Sequence, residues 1–279
     1  MSIKFLRLLF SIIFILVIIV ILEGSSPAYP ERIISLAPSI TKTLYLLGVG
    51  DRVIANTIHC NYPPPAIKKE KIGNVIDINV EKIYSLNPDL VIATPLTDLK
   101  AKKRLTDLGI NVVTIPSPKN YLELCDQFLR IGKLVGREER AKEIISNSKK
   151  EIKKIMGKIR DKEKPKVLVQ VGSRPLWVGI KDSFINDFVN FAGGQLVGPK
   201  NFGIFSKEEV LKQNPDVIII ASMGGSALEE KRDWERYKVI NAVKNHRIYI
   251  FESDELTSPT PVSFVEVLIK ICRILHPDK

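Results

Sequence analysis

Few residues in this chain have the type and spacing to do chemistry. Glu81 and Glu208 occupy matching places in two near-copies of one unit, VEKIYSLNPDLVIA (80–93) and KEEVLKQNPDVIII (207–220). In both, an Asn-Pro-Asp lies at the same offset, with its aspartate eight residues after the glutamate. His59 and Cys60 are adjacent, and imidazole and thiolate are good transition-metal ligands. Tyr62 and Trp177 offer flat faces to a partly apolar ligand. Arg174 offers a forked cation to a carboxylate or phosphate.

Each of these has a plainer reading. Asn79 and Ser206 stand where helix N-caps belong, and an acidic residue in the first turn suits the helix dipole. Ser206 with Glu209 also fits a capping box. Asn-Pro-Asp ends a helix and turns the chain into the next strand. His59 and Cys60 are two donors where a site needs three or four, and His246 and His276, which complete the histidines, are distant in sequence. No bound metal is therefore expected, although either residue is able to approach the metal of a bound chelate. Arg174 serves equally well in a surface ion pair. The chain has no G-x-S-x-G, G-x-x-x-x-G-K-[ST], H-E-x-x-H or G-x-G-x-x-G, so catalysis is not expected. A secreted α/β hydrolase with dispersed catalytic residues is the alternative from a different class.

The elements that must hold these residues alternate. Apolar, β-branched bursts at 32–37, 52–57, 89–94 and 111–116 predict strands, with helical spacing between them and glycine stops. Short, nearly continuous apolar strands separated by helices indicate a parallel sheet covered on both faces. A long amphipathic pattern follows and ends before Pro165. The alternation then restarts, with strands at 166–172, 216–222 and 247–253 and helices near 183–192, 206–213, 227–238 and 261–275. The predicted architecture is α/β: a first lobe over 31–136, a linking helix over 137–164 and a second lobe over 165–279. Ligands of open parallel sheets sit beyond the C-terminal strand ends. The loops there are Ala37-Pro38-Ser39, TIHCNYPPP, Thr94-Pro95-Leu96, Pro116-Ser117, GSRPLW, Ser222-Met223-Gly224 and SDELTSP. They add Ser39, Thr57 and Ser117 as candidate polar contacts.

Residues 1–30 stand apart. Lys4 and Arg7 precede the apolar run LLFSIIFILVIIVIL and a small-residue exit, the pattern of an export signal, or of a retained anchor if uncleaved. No cysteine follows the run, so a lipid-modified N-terminal cysteine is not expected. Three cysteines without a C-x-x-C spacing argue against a disulfide framework. The net charge of +11 is spread along the chain, with a local concentration between Arg137 and Lys166. It lacks interleaved aromatics and accompanies an export signal, so nucleic acid is not an expected partner. The excess reads as a solvated helical surface.

Taken in order from Glu31 onward, RIISLAPSITKTLYLLG, CNYPPPA, the first echoed unit, the long helix and KEEVLKQNPDVIII resemble the cobalamin and iron-chelate substrate-binding proteins of ABC importers. The resemblance implies two α/β lobes joined by one long helix, a ligand cleft between them and limited closure. It implies a location in the periplasm or on the outer face of the cytoplasmic membrane and a permease dimer with its ATPase as partner, docked through Glu81 on one lobe and Glu208 on the other. It matches Tyr62 to a tyrosine of the cleft. The implied ligand is a metal chelate, a corrinoid first, with ferric siderophores and haem as alternatives. An anchored binding protein without an importer is a further one. The cobalamin-type pattern has several cleft tryptophans, whereas here Val75 stands before the first unit, and Trp234 lies in a polar helical stretch.

Overall fold

The computed structural model describes residues 29–222 and 226–277. The expected signal or anchor segment up to residue 28, and Met223 and Gly224 of one candidate loop, lie outside the described residues.

The first sheet contains β1 (Ile33–Ser35), β2 (Val53–Asn56), β3 (Glu70–Lys71), β4 (Leu90–Ala93) and β5 (Val112–Thr114). All pair in parallel, in the order β3-β2-β1-β4-β5. The intervening helices are α1 (Pro38–Leu46), α2 (Pro64–Ile67), α3 (Val80–Ser85) and α4 (Leu99–Asp107). β1 and β4 are buried along their whole length, which is why they read as unbroken apolar runs. Gly48 and Gly109 follow α1 and α4 with φ of 75° and 82°, a left-handed stop that glycine adopts without strain.

Two helices follow, α5 (Tyr121–Leu134) and α6 (Glu138–Lys158). α6 has 21 residues, about 31 Å at 1.5 Å per residue. It is shorter than the expected 137–164. Ile155 is its last side chain packed against the core, Gly157 weakens the final turn, and the charged residues beyond have no buried face to hold a helix.

The second sheet contains β6 (Lys166–Gly172), β7 (Trp177–Val178), β8 (Gln195–Val197), β9 (Val217–Ser222) and β10 (Ile248–Glu252). β10, β9 and β6 run in parallel. The other edge of β6 is divided between parallel β8 at Lys166–Leu168 and antiparallel β7 at Gln170–Gly172. The antiparallel β7 and the short β3 and β8 have too few residues to show a period in sequence. The helices are α7 (Phe184–Phe191), α8 (Lys207–Gln213), α9 (Ala227–Glu235), α10 (Asn241–Lys244), α11 (Ser253–Thr257) and α12 (Pro261–Leu275).

Strand alternation divides the core into three. Ile34, Val91 and Ala55 face a private core of the first lobe, and Leu168, Ile218 and Ile220 face a private core of the second. Their neighbours Ile33, Ile92, Val167, Val169 and Ile219 belong to one shared core. α6 runs through that shared core, burying Ala141, Ile144, Ile145 and Ile152 among side chains of α5 and α12. At its centre Phe264 stacks on Phe188 with ring centroids 4.0 Å apart, and Tyr121 leans on Phe264 at 4.7 Å. The Tyr121 N–H donates to Asp187 Oδ2 at 2.7 Å, tying the start of α5 to α7. α6 is thus embedded between the lobes and is not a free strut, which resists wide hinge motion.

Candidate functional site

In both echoed units the side chains do the same structural work. Asn79 Oδ1 accepts from Lys82 N at 2.8 Å, and Ser206 Oγ accepts from Glu209 N at 3.1 Å, so each helix is capped. Asn87 and Asn214 take left-handed φ of 44° and 47° and stop the helix. Asp89 Oδ2 then accepts from the backbone N–H of Glu31 and Arg32 at 2.9 and 2.8 Å, and Asp216 Oδ2 accepts from Lys166 N at 2.9 Å. Each aspartate pins the entry to a strand, β1 in one lobe and β6 in the other. Neither Glu81 nor Glu208 makes these contacts, because the reciprocal glutamate of the capping box is Glu209. Both are exposed. Capping therefore accounts for their neighbours and leaves these two carboxylates to the solvent face.

Between the lobes lies a cavity of about 820 Å³. Five of the loops expected at the C-terminal strand ends border it. Ser39 and Ser117 line it from the first lobe, as do His59 and Asn61. The second lobe contributes Phe184 of α7 and the segment from Glu252 to Pro259 after β10. Its apolar surface, the larger part, includes Val75, Leu96 and Phe184 and several prolines, and no tryptophan lines it. Thr94 also lines the cavity, and its Oγ1 is buried without a hydrogen-bond partner. A buried hydroxyl left unpaired carries a free-energy penalty that a ligand acceptor or donor would relieve. The TxL loop gave the place of Thr94 in sequence, but its unpaired state shows only in three dimensions.

Other expected contacts lie elsewhere. Thr57 corrects the sequence reading. It is 0% exposed, and its hydroxyl pairs with Cys60 Sγ at 3.2 Å, which also accepts from Thr41 Oγ1. A polar side chain leaving a central strand has been satisfied inside the lobe, so Cys60 and Thr57 are closed to a ligand while His59 stays exposed at the cavity. Tyr62, 63% exposed, borders a smaller apolar pocket of about 350 Å³ with Tyr45, Pro65 and Val262. Trp177 packs edge-on against Phe202 at 5.1 Å and does not line the large cavity. Arg174 borders a third cavity, within the second lobe, with Lys207 and Glu230. Trp234 departs from the exposure that its polar helix suggests. It is 2% exposed, and its indole N–H donates to Gln170 Oε1 at 2.6 Å, while Gln170 Nε2 donates to Glu230. Among the described residues no three His, Cys, Asp or Glu side chains converge on a metal position.

The cavity's position, between two α/β lobes and beyond their strand ends, suits capture of a small molecule. Comparison with known proteins gives the same direction. Residues 33–255, from β1 to α11, match the family model described as periplasmic binding protein. An uncharacterised ABC transporter substrate-binding lipoprotein of Bacillus subtilis (strain 168) is 33% identical over 259 residues, covering 89% of this chain and 81% of that protein. A possible iron-binding (periplasmic solute-binding) protein of Staphylococcus epidermidis superposes with a TM-score of 0.77 at 30% identity, covering 88% of this chain and 99% of its own. The periplasmic vitamin B12 binding protein of Vibrio cholerae gives 0.75 at 25% identity, over 88% and 96%. A match of this extent, on a fold whose two sheets enclose the cavity those proteins would need, leads to one conclusion: the chain belongs to the periplasmic binding protein family of ABC transporter substrate-binding proteins.

Proposed function

We propose that this chain captures a bulky metal chelate, a corrinoid, on the outer side of the cytoplasmic membrane and delivers it to an ABC permease. The observation that carries the reading is the inter-lobe cavity of about 820 Å³, lined by loop hydroxyls and a few apolar side chains. Its volume lies within the range of roughly 300–1,000 Å³ that suits small-molecule ligands. The described residues offer no converging set of ligands for a bare ion, which favours a metal already wrapped in organic ligand. The printed names of the relatives point the same way, with vitamin B12 for one and iron for another.

Within this reading Ser39 and Ser117 contact the ligand first, Thr94 adds an unpaired hydroxyl, and Tyr62, Trp177 and Arg174 join from the flanking surfaces. Glu81 and Glu208 dock on the permease, one from each lobe, as exposed charged groups that are not the side-chain caps of their helices. Binding biases a small movement against the shared core, which is enough to distinguish loaded from empty protein. The test is a calorimetric titration of the full-length chain in nanodiscs with cobalamin, haemin and a ferric siderophore panel. Saturable binding of cobalamin alone supports the corrinoid. Preference for haemin or a siderophore replaces the ligand and keeps the transport role. Binding of none of them removes the chelate reading.

A further inference from the structure

Lys42 is the only charged side chain fully buried among the described residues, at 7% exposure. It stands on α1 of the first lobe and reaches into the second. Its Nζ pairs with Asp254 Oδ2 at 2.5 Å and donates to the Ser258 carbonyl at 3.1 Å. An ammonium carries three donors, so one is left over. Asp254 and Ser258 both line the large cavity, whereas Lys42 itself lines the apolar pocket of Tyr62. Pro259 faces the cavity and Thr260, the next residue, faces the pocket. The Lys42–Asp254 pair thus stands between the large cavity and the Tyr62 pocket.

A buried ion pair is a poor way to stabilise a fold, since an apolar pair of similar volume does as well or better. Asp254 is half-exposed and free to swing into solvent, whereas the Lys42 side chain is only 9% exposed, so its charge is costly without an anion beside it. We propose that Lys42 is a specificity-determining residue: an anionic group of the ligand replaces Asp254 on its ammonium, and moving Asp254 aside joins the cavity to the Tyr62 pocket. The chamber so formed is larger than either part and brings Tyr62 to the same ligand as Ser39 and Ser117. This inference rests on the chelate-binding reading and sharpens it, because it requires a ligand bearing a phosphate or carboxylate.

The experiment uses two matched pairs, cobalamin against cobinamide, which lacks the nucleotide phosphate, and haemin against its dimethyl ester. Dissociation constants are measured for the full-length chain and for Lys42→Met, Lys42→Arg and Asp254→Asn. The native chain should prefer the anionic member of whichever pair it binds by tenfold or more. Lys42→Met should bring that ratio close to one, and Lys42→Arg should restore most of it. Asp254→Asn should tighten the anionic ligand several-fold, since its competitor is gone. Lys42→Met removes a buried charge and should melt no lower than the native chain, so folding does not confound it. Unchanged ratios in Lys42→Met overturn the inference while the binding reading stands. Absence of binding to all four compounds by the native chain overturns the inference, and absence of siderophore binding as well overturns the chelate reading.

Discussion

The two echoed units are capped at the same position, by Asn79 in one and Ser206 in the other, yet their glutamates meet different surroundings. Glu81 Oε1 lies 2.9 Å from an Arg104 guanidinium nitrogen of α4, whereas Glu208 has no ion-pair partner among the described residues. The units show which residues a lobe needs for folding, because those are duplicated in contact as well as in type. The glutamates are duplicated in type alone. What they share is exposure in the first turn of the helix, where a carboxylate also suits the helix dipole. The cores differ in the same instructive way. Each lobe has a private core on one face of its sheet, while the other faces merge around α5, α6 and α12.

The strongest way to break this comparison is to cut the shared core. Phe264→Ala removes a ring packed on Phe188 and Tyr121 from both lobes, and should cost about 3–5 kcal/mol in urea unfolding, still in one transition. A private-core change, Ile218→Ala, should cost about 2–5 kcal/mol and destabilise the second lobe first, visible as earlier hydrogen exchange there. Equal protection in both lobes after Ile218→Ala would mean that the private cores are not separate units.

Asp89→Ala and Asp216→Ala test the equivalence of the two strand anchors. Each should cost about 1–2 kcal/mol, and the two values should agree within about 0.5 kcal/mol. Glu81→Arg and Glu208→Arg should leave unfolding unchanged and weaken co-purification with the permease. Glu208→Arg should weaken it more, because Glu81 already spends part of its time on Arg104. Arg104→Ala should then strengthen the contact, most clearly at low salt. If Arg104→Ala weakens docking instead, the pair is part of the docking surface.

The smallest expected effect is at His276. Burial holds its pKa below the ordinary histidine value, against the pull of a hydrogen bond with the Ala192 carbonyl. Its folded state therefore resists protonation. The stability it contributes is complete above about pH 6.5 and falls as pH drops below that, towards its depressed folded value. A melting curve at pH 5.5 should lie slightly below one at pH 7.5, and His276→Gln should reduce that difference.

Much of the fold was legible because its signals are local. Period-two and period-3.6 patterns, Gly48 and Gly109, and the two Asn-Pro-Asp turns placed the main strands and most of the longer helices, but they left out α5 (Tyr121–Leu134) and carried α6 past its end at Lys158. β3, β7 and β8 were not legible because two or three residues show no period. The burial of Trp234 was not legible because α9 is polar on average, and a single buried position is fixed by Gln170, which lies 64 residues earlier in the chain. At the site, the loops after β1, β2, β4, β5 and β10 were foreseen from the rule for strand ends. Thr57 was not, since its hydroxyl is satisfied by a thiol three residues on.

The sequence by itself determined two α/β lobes, their order, the capped echo units and the exposure of Glu81 and Glu208, because each depends on a few neighbouring residues. Tertiary structure alone decided that the two sheets share a core, that Tyr62 faces a pocket apart from Ser39, and that Lys42 meets Asp254 more than two hundred residues away. Those facts depend on how two independently formed faces meet. Side-chain spacing along one strand or helix does not encode the identity of the surface packed against it.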